Sequence, residues 1–168
     1  MKNALIIALF IILGLQQAYG QSSEDNRISA DINVSAQVMQ SIELITVNSI
    51  RFGDMQPEQG EIYINPITSL NAGYMIAIGT PESEFRLNYL PQRELVQTNG
   101  SSSITFTYEI SGSSREDQST SELLEIDNRN IRFNSEGRYY IWVGGRIDLQ
   151  NAAPGSYQGD FTIEIDYI

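Results

Sequence analysis

The chain has 168 residues, no cysteine, no histidine and a formal net charge of −11 at neutral pH. The missing residue types exclude a Ser-His-Asp triad, a thiol nucleophile, an ordinary zinc site and any disulfide. Because the acidic surface repels phosphate groups, nucleic acids and anionic lipids are also poor partners. We therefore expect a non-catalytic protein without a cofactor.

Residues 1–20 have the pattern of a signal peptide. Lys2 supplies the positive charge, residues 4–15 form an apolar run of twelve, and residues 18–20 (Ala-Tyr-Gly) have the small-x-small pattern that precedes cleavage. The apolar run is shorter than the ~20 residues that a membrane-spanning helix needs. We therefore predict cleavage near Gly20, no membrane insertion afterwards, and a secreted, periplasmic or cell-surface location.

The rest of the chain is predicted to be one β-domain. Residues 21–27 are a polar lead-in, and residues 28–38 then alternate between apolar and polar side chains, as a half-buried strand does. Similar short runs recur at spacings of about ten residues, separated by Gly, Pro, Asn and Ser, which favours an antiparallel β-sandwich over residues 28–168. These further strands are predicted at 42–47, 50–53, 61–65, 73–80, 85–89, 104–110, 131–133, 139–149 and 157–167.

Two other segments are less regular. Residues 111–121 contain five serines and a glycine and are predicted to form a mobile loop. Residues 122–126 fit either one helical turn or a strand, and the pattern leaves both open.

Side chains able to perform chemistry are few. Twenty-one acidic residues guarantee chance carboxylate pairs, so such pairs do not indicate a glycosidase. The loop pairs Glu116-Asp117 and Asp127-Asn128 offer oxygen ligands, but no EF-hand pattern surrounds them, which favours solvated acids over a calcium site. Trp142 lies in a run that is apolar on both faces, so we predict a buried tryptophan in a central strand.

The last run of the chain has the clearest alternation. Its apolar residues occupy odd positions with polar residues between them, and Gly159 is the one small residue on the apolar side. Counting from the C-terminus, Tyr167 is penultimate and Gly155 is fourteenth. This arrangement resembles the C-terminal motif of chaperone–usher pilins. Together with the runs at 50–53 and 143–149, the wider pattern resembles the bacterial domain of unknown function 4402 and spore coat protein U domains.

The resemblance implies an immunoglobulin-like sandwich in an extracellular fibre or coat. In pilins the last strand pairs first with a periplasmic chaperone, and a donor strand from the next subunit then completes the sandwich. The resemblance assigns the assembly strand to Gly155, Tyr157, Phe161, Ile163, Ile165 and Tyr167. A pilin donor segment precedes the first strand, whereas residues 21–27 are too short and too polar for that role. Residues 28–38 therefore fit either a donor strand or the domain's own first strand.

Two functions follow from this reading. The first is an exported structural or adhesive cell-surface subunit that assembles into a pilus-like or coat polymer. Its partners would be further copies, a periplasmic chaperone or a related subunit, bound through an edge strand. The alternative is a monomeric secreted binding module, for example for glycans, with a self-complete sandwich.

Overall fold

The computed structural model describes residues 29–38, 42–52, 60–126 and 128–168. The predicted signal peptide and the polar lead-in lie outside these ranges. Among the described residues, no helix is both long enough and apolar enough to cross a membrane.

The described residues form eleven strands and one short 3-10 turn, Gln118–Thr120. The strands are β1 (Ser29–Val38), β2 (Glu43–Asn48), β3 (Glu61–Ile64), β4 (Gly73–Ile78), β5 (Glu84–Tyr89), β6 (Gln92–Gln97), β7 (Ser103–Ser113), β8 (Glu122–Leu124), β9 (Asn128–Arg132), β10 (Arg138–Asp148) and β11 (Ser156–Tyr167).

Hydrogen bonding joins the strands in the order β2-β4-β10-β7-β6-β11-β5-β9, with β1 added to β11, β3 to β10 and β8 to β7. The described pairs are antiparallel except the β1–β11 pair, which is parallel. The sheet folds over so that ring contacts cross between its layers, from Phe85 on β5 to Tyr139 on β10 and from Tyr108 on β7 to Phe161 on β11. The predicted all-β antiparallel sandwich is confirmed.

Strand β10 is the centre of the fold and is buried on both faces. Seven consecutive residues, 139–145, are buried, and Trp142 stacks on the ring of Tyr74 with the centroids 5.4 Å apart. Gly144 permits the close approach of the next segment, because a Cβ there would lie 2.2 Å from the carbonyl oxygen of Ile64. The prediction of a buried tryptophan in a doubly covered central strand is confirmed.

Serine hydroxyls form a hydrogen-bonded group next to the central strand β10. Ser111 is the register partner of Trp142, and its hydroxyl donates to the carbonyl oxygen of Pro66 at 3.2 Å. Ser121 donates to the Ser111 hydroxyl at 2.9 Å, and the Gln118 side-chain amide donates to the same Pro66 oxygen at 2.8 Å. The serines of this segment therefore satisfy buried backbone groups.

Three local predictions are corrected or settled. The loop predicted from residue 111 begins later, because β7 continues to Ser113 opposite β8 and β10. Residues 50–52 form no strand, although Ile50 and Phe52 are buried, since the Arg51 amide donates to the loop carbonyl of Asn71. The segment left open as a helical turn or strand is strand β8.

Strand β6 was not predicted, because Pro91 was taken to end the run before it. The proline instead lies in the short link between β5 and β6. Both strands run antiparallel to β11, and they pair with successive parts of it. A proline is tolerated at such an interruption, where no ladder hydrogen bond from its nitrogen is needed.

Candidate functional site

The candidate site is the edge of β11, the strand that the sequence singles out for assembly. Strands β5 and β6 pair with β11 along one of its edges. Strand β1 pairs with β11 in parallel. Ten residue pairs form the parallel ladder, from Ser29 beside Ser156 to Val38 beside Ile165. Within the described part of the chain, β1 pairs with no strand other than β11.

The register matches the two alternating patterns. Residues 30, 32, 34, 36 and 38, which the sequence places on one apolar face of β1, lie beside residues 157, 159, 161, 163 and 165 of β11. Because directly paired residues of neighbouring strands share a face of the sheet, the apolar positions of both strands coincide. A shift by one residue would place the apolar positions of β1 beside the polar positions of β11.

The predicted assembly residues fill the core between the layers. Phe161 and Ile163 have no exposed surface, and Ile165 is 5% exposed. The Phe161 ring stacks on Tyr108 with the centroids 4.1 Å apart and contacts Tyr89 edge-on at 6.1 Å. In this chain these side chains are therefore core residues, and the part of β11 that meets β1 is its backbone.

Tyr157 and Gly155 shape the entry into β11. The Tyr157 ring is fully buried, and its hydroxyl donates to the carbonyl oxygen of Ala153 at 2.7 Å. This bond is similar to the tyrosine corner of immunoglobulin-type sandwiches, in which a tyrosine hydroxyl bonds to backbone a few residues upstream. Gly155 has a φ of +153°, so a side chain at this position would be strained. A Cβ there would also lie 2.5 Å from the side-chain Nε2 of Gln97.

Tyr167 fastens the other end of β11. Its ring lies 6.2 Å from that of Phe133, and its hydroxyl accepts from the backbone N–H of Thr80 at 2.8 Å and donates to the Thr80 hydroxyl at 3.1 Å. The backbone N–H of Ile168 donates to the carbonyl oxygen of Glu84. The penultimate aromatic therefore joins the end of the chain to the loop after β4.

Gly159 is small because a neighbour occupies the space. A Cβ at this position would lie 2.6 Å from Cδ2 of Leu95 on β6, a residue with no exposed surface. In the ladder with β1, Gly159 lies beside Ile32. The sequence shows Gly159 as an exception in the alternation. The residue that requires a glycine there, Leu95, lies on strand β6, which the sequence pattern does not predict.

One polar group lies unpaired near this core. The Tyr108 hydroxyl is buried and has no hydrogen-bond partner among the described residues. Burial raises the pKa of Tyr108 well above its ordinary value of 10.0, and burial also raises the pKa of Tyr89. Both hydroxyls therefore remain protonated and uncharged at neutral pH.

The carboxylates considered as metal ligands have other contacts. Glu116 accepts from the Tyr74 hydroxyl at 2.8 Å, and Asp117 accepts from the backbone N–H of Ser119 at 3.0 Å, which caps the 3-10 turn. Asp127 lies outside the described residues. No group of three or more acidic side chains arranged for a metal ion occurs in the ranges that the structure describes.

The fold and this edge define a class of protein: a single antiparallel β-sandwich whose last strand carries an N-terminal strand in parallel. The family comparison confirms one part of the resemblance noted in the sequence, the similarity to the domain of unknown function 4402. Residues 39–167 match the model of the family described as Domain of unknown function (DUF4402), and the chain belongs to this family. No curated protein matches the chain. The matched region begins after β1, so it covers β2 to β11 and leaves β1 outside.

Proposed function

We propose that the protein is an exported, non-catalytic structural or adhesive subunit of the cell surface that associates by β-strand addition at the edge of β11. The observation that carries the proposal is the position of β1. This strand lies outside the family match. It forms ten residue pairs with β11 and pairs with no other strand in the described ranges. A strand attached in this way can be replaced by the same strand of another copy.

Physical reasoning supports exchange at this edge. Parallel pairing is slightly less stable per residue than antiparallel pairing, and β1 has β11 as its one described partner strand. A β1 strand from a second copy would make the same hydrogen bonds in the same register, so exchange loses no interaction made by the original strand. Swapping an identical element is a low-cost route to association, and repeated head-to-tail exchange would produce a polymer rather than a closed dimer.

Cysteine cross-linking between two single variants tests the proposal directly, because the chain has no cysteine of its own. Ser35 and Thr162 are register partners, and neighbouring strands bring Cα atoms within the span of a disulfide. We expect a mixture of the Ser35→Cys and Thr162→Cys proteins, allowed to assemble and then oxidised, to give a cross-linked heterodimer on non-reducing gels.

Two controls make the result interpretable. Gln92→Cys places an exposed cysteine on β6, away from β1, and should give no more than background cross-linking with Ser35→Cys. The double variant with both Ser35→Cys and Thr162→Cys reports pairing within one chain. If the double variant closes its internal disulfide while the mixture gives only monomers at all concentrations, strand exchange does not occur and the proposal fails.

Val34→Asp and Ser35→Asp form a second matched pair. Val34 lies beside the buried Phe161, whereas Ser35 lies beside the half-buried Thr162. A carboxylate brought against a buried apolar ring is far more costly than one brought against a partly solvated hydroxyl. We expect light scattering of the purified variants to show oligomers for Ser35→Asp and only monomers for Val34→Asp. Equal behaviour of the two variants would contradict recognition by the alternating face.

A further inference from the structure

A cavity of about 400 Å³ lies at one end of the sandwich, separate from the β1–β11 edge. Its walls come from the end of β7 and the loop after it, from β8 and β9, and from the start of β10. Cavities of this size hold small organic ligands. Sequence patterns did not predict the cavity, because its walls come from four separate segments of the chain.

Buried residues form part of the cavity lining, and one of them carries an unused hydroxyl, but the surface facing the cavity is mainly polar. Tyr139, Leu124 and Ile131 are buried there. Gly112 lies against the tyrosine, since a Cβ at this position would be 2.6 Å from the Tyr139 hydroxyl oxygen. Among the described residues this hydroxyl has no hydrogen-bond partner. Burial and the nearby charge of Glu122 raise the pKa of Tyr139, so the hydroxyl stays protonated and can donate to a ligand.

The rim carries two arginines on a strongly acidic chain. Arg132 is held by Glu84, with Nη2 2.6 Å from the carboxylate Oε1. Arg115 is exposed and forms no ion pair with any carboxylate in the described ranges. Planar guanidinium groups bind carboxylates through two parallel hydrogen bonds. The rim is therefore suited to a ligand that carries one carboxylate.

The remaining wall groups are suited to hydroxyls. Glu122 and Thr120 supply acceptors, and the Asn130 amide and the Tyr139 hydroxyl supply donors. A sugar hydroxyl donates one hydrogen bond and accepts others, so it requires such a mixture. A plain fatty acid would displace water from these exposed polar groups without replacing its hydrogen bonds, which lowers affinity.

We infer that this cavity binds a uronic acid residue, the carboxylate at the arginine rim and the ring hydroxyls against the Glu122 and Asn130 walls. The inference does not depend on strand exchange, because every wall belongs to one chain.

Calorimetric titration of the mature protein with glucuronate and galacturonate tests the inference, with glucose and acetate as partial ligands. We expect at least one uronate to bind at least tenfold more tightly than either glucose or acetate. Glucose lacks the carboxylate, and acetate lacks the hydroxyls. Failure of both uronates to bind, or equal affinity for acetate or glucose, would overturn the assignment.

Three variants locate the site. Arg115→Ala should weaken uronate binding at least tenfold, and Tyr139→Phe should weaken it several-fold while the ring keeps its packing. Arg93→Ala is the matched control, because it removes the same charge from an exposed position on β6, which pairs with the opposite end of β7. Affinity lowered equally by Arg115→Ala and Arg93→Ala would indicate a general charge effect and refute the site. Circular dichroism spectra confirm that each variant is folded.

Discussion

Replacing Phe161 by alanine distinguishes a core role from an assembly role for the last strand. The ring has no exposed surface and is held between Tyr108, 4.1 Å away, and Tyr89, 6.1 Å away. Removing a buried phenylalanine costs about 3–5 kcal/mol, which includes the cavity that it leaves. A domain of this size is stable by about 5–15 kcal/mol, so Phe161→Ala should remove at least a fifth of the stability of the isolated domain.

Urea unfolding followed by tryptophan fluorescence measures this loss, since Trp142 is the only tryptophan in the chain. We expect a lower midpoint with an unchanged slope, because the unfolded surface is nearly the same. Thr162→Ala is the control at the next position, where the side chain is half-buried on the opposite face, and it should cost less than about 1 kcal/mol. A Phe161→Ala domain that loses under about 1 kcal/mol yet no longer assembles would show that the ring serves a partner instead of the core.

Two further predictions concern the same core. Trp142→Ala should cost roughly 3–5 kcal/mol because the side chain is 6% exposed, and a loss under about 1 kcal/mol in calorimetric unfolding would be inconsistent with that burial. Stability should also fall in alkaline solution: burial raises the pKa values of Tyr108 and Tyr139 above 10.0, so the unfolded chain loses these protons first. The contribution is fully present below pH 10 and disappears as the pH rises through the folded pKa values. Urea midpoints at pH 8, 10 and 11 test this. Tyr108→Phe should lessen the decline, and a midpoint independent of pH would contradict the reasoning.

The candidate assembly strand was predictable to a large extent. Alternation with a period of two is a local property, and it placed Phe161, Ile163 and Ile165 on one face, where the structure buries them. Their partners were not predictable from the sequence. Leu95 lies on β6, a strand that the pattern misses because Pro91 precedes it, and Tyr108 contacts Phe161 from another layer of the sandwich. The exception at Gly159 was visible in the sequence, whereas its cause required the neighbouring strand.

The sequence by itself determined the all-β class, most strand positions and the absence of His- and Cys-based catalysis. These follow from residue types and from side-chain alternation within single strands. Only the tertiary structure decided that residues 29–38 pair in parallel with the chain's own β11, and that segments from Gly112 to Tyr139 surround a cavity. Alternation defines which face of a strand is apolar but carries no information about which edge it joins, since every strand offers the same backbone donors and acceptors.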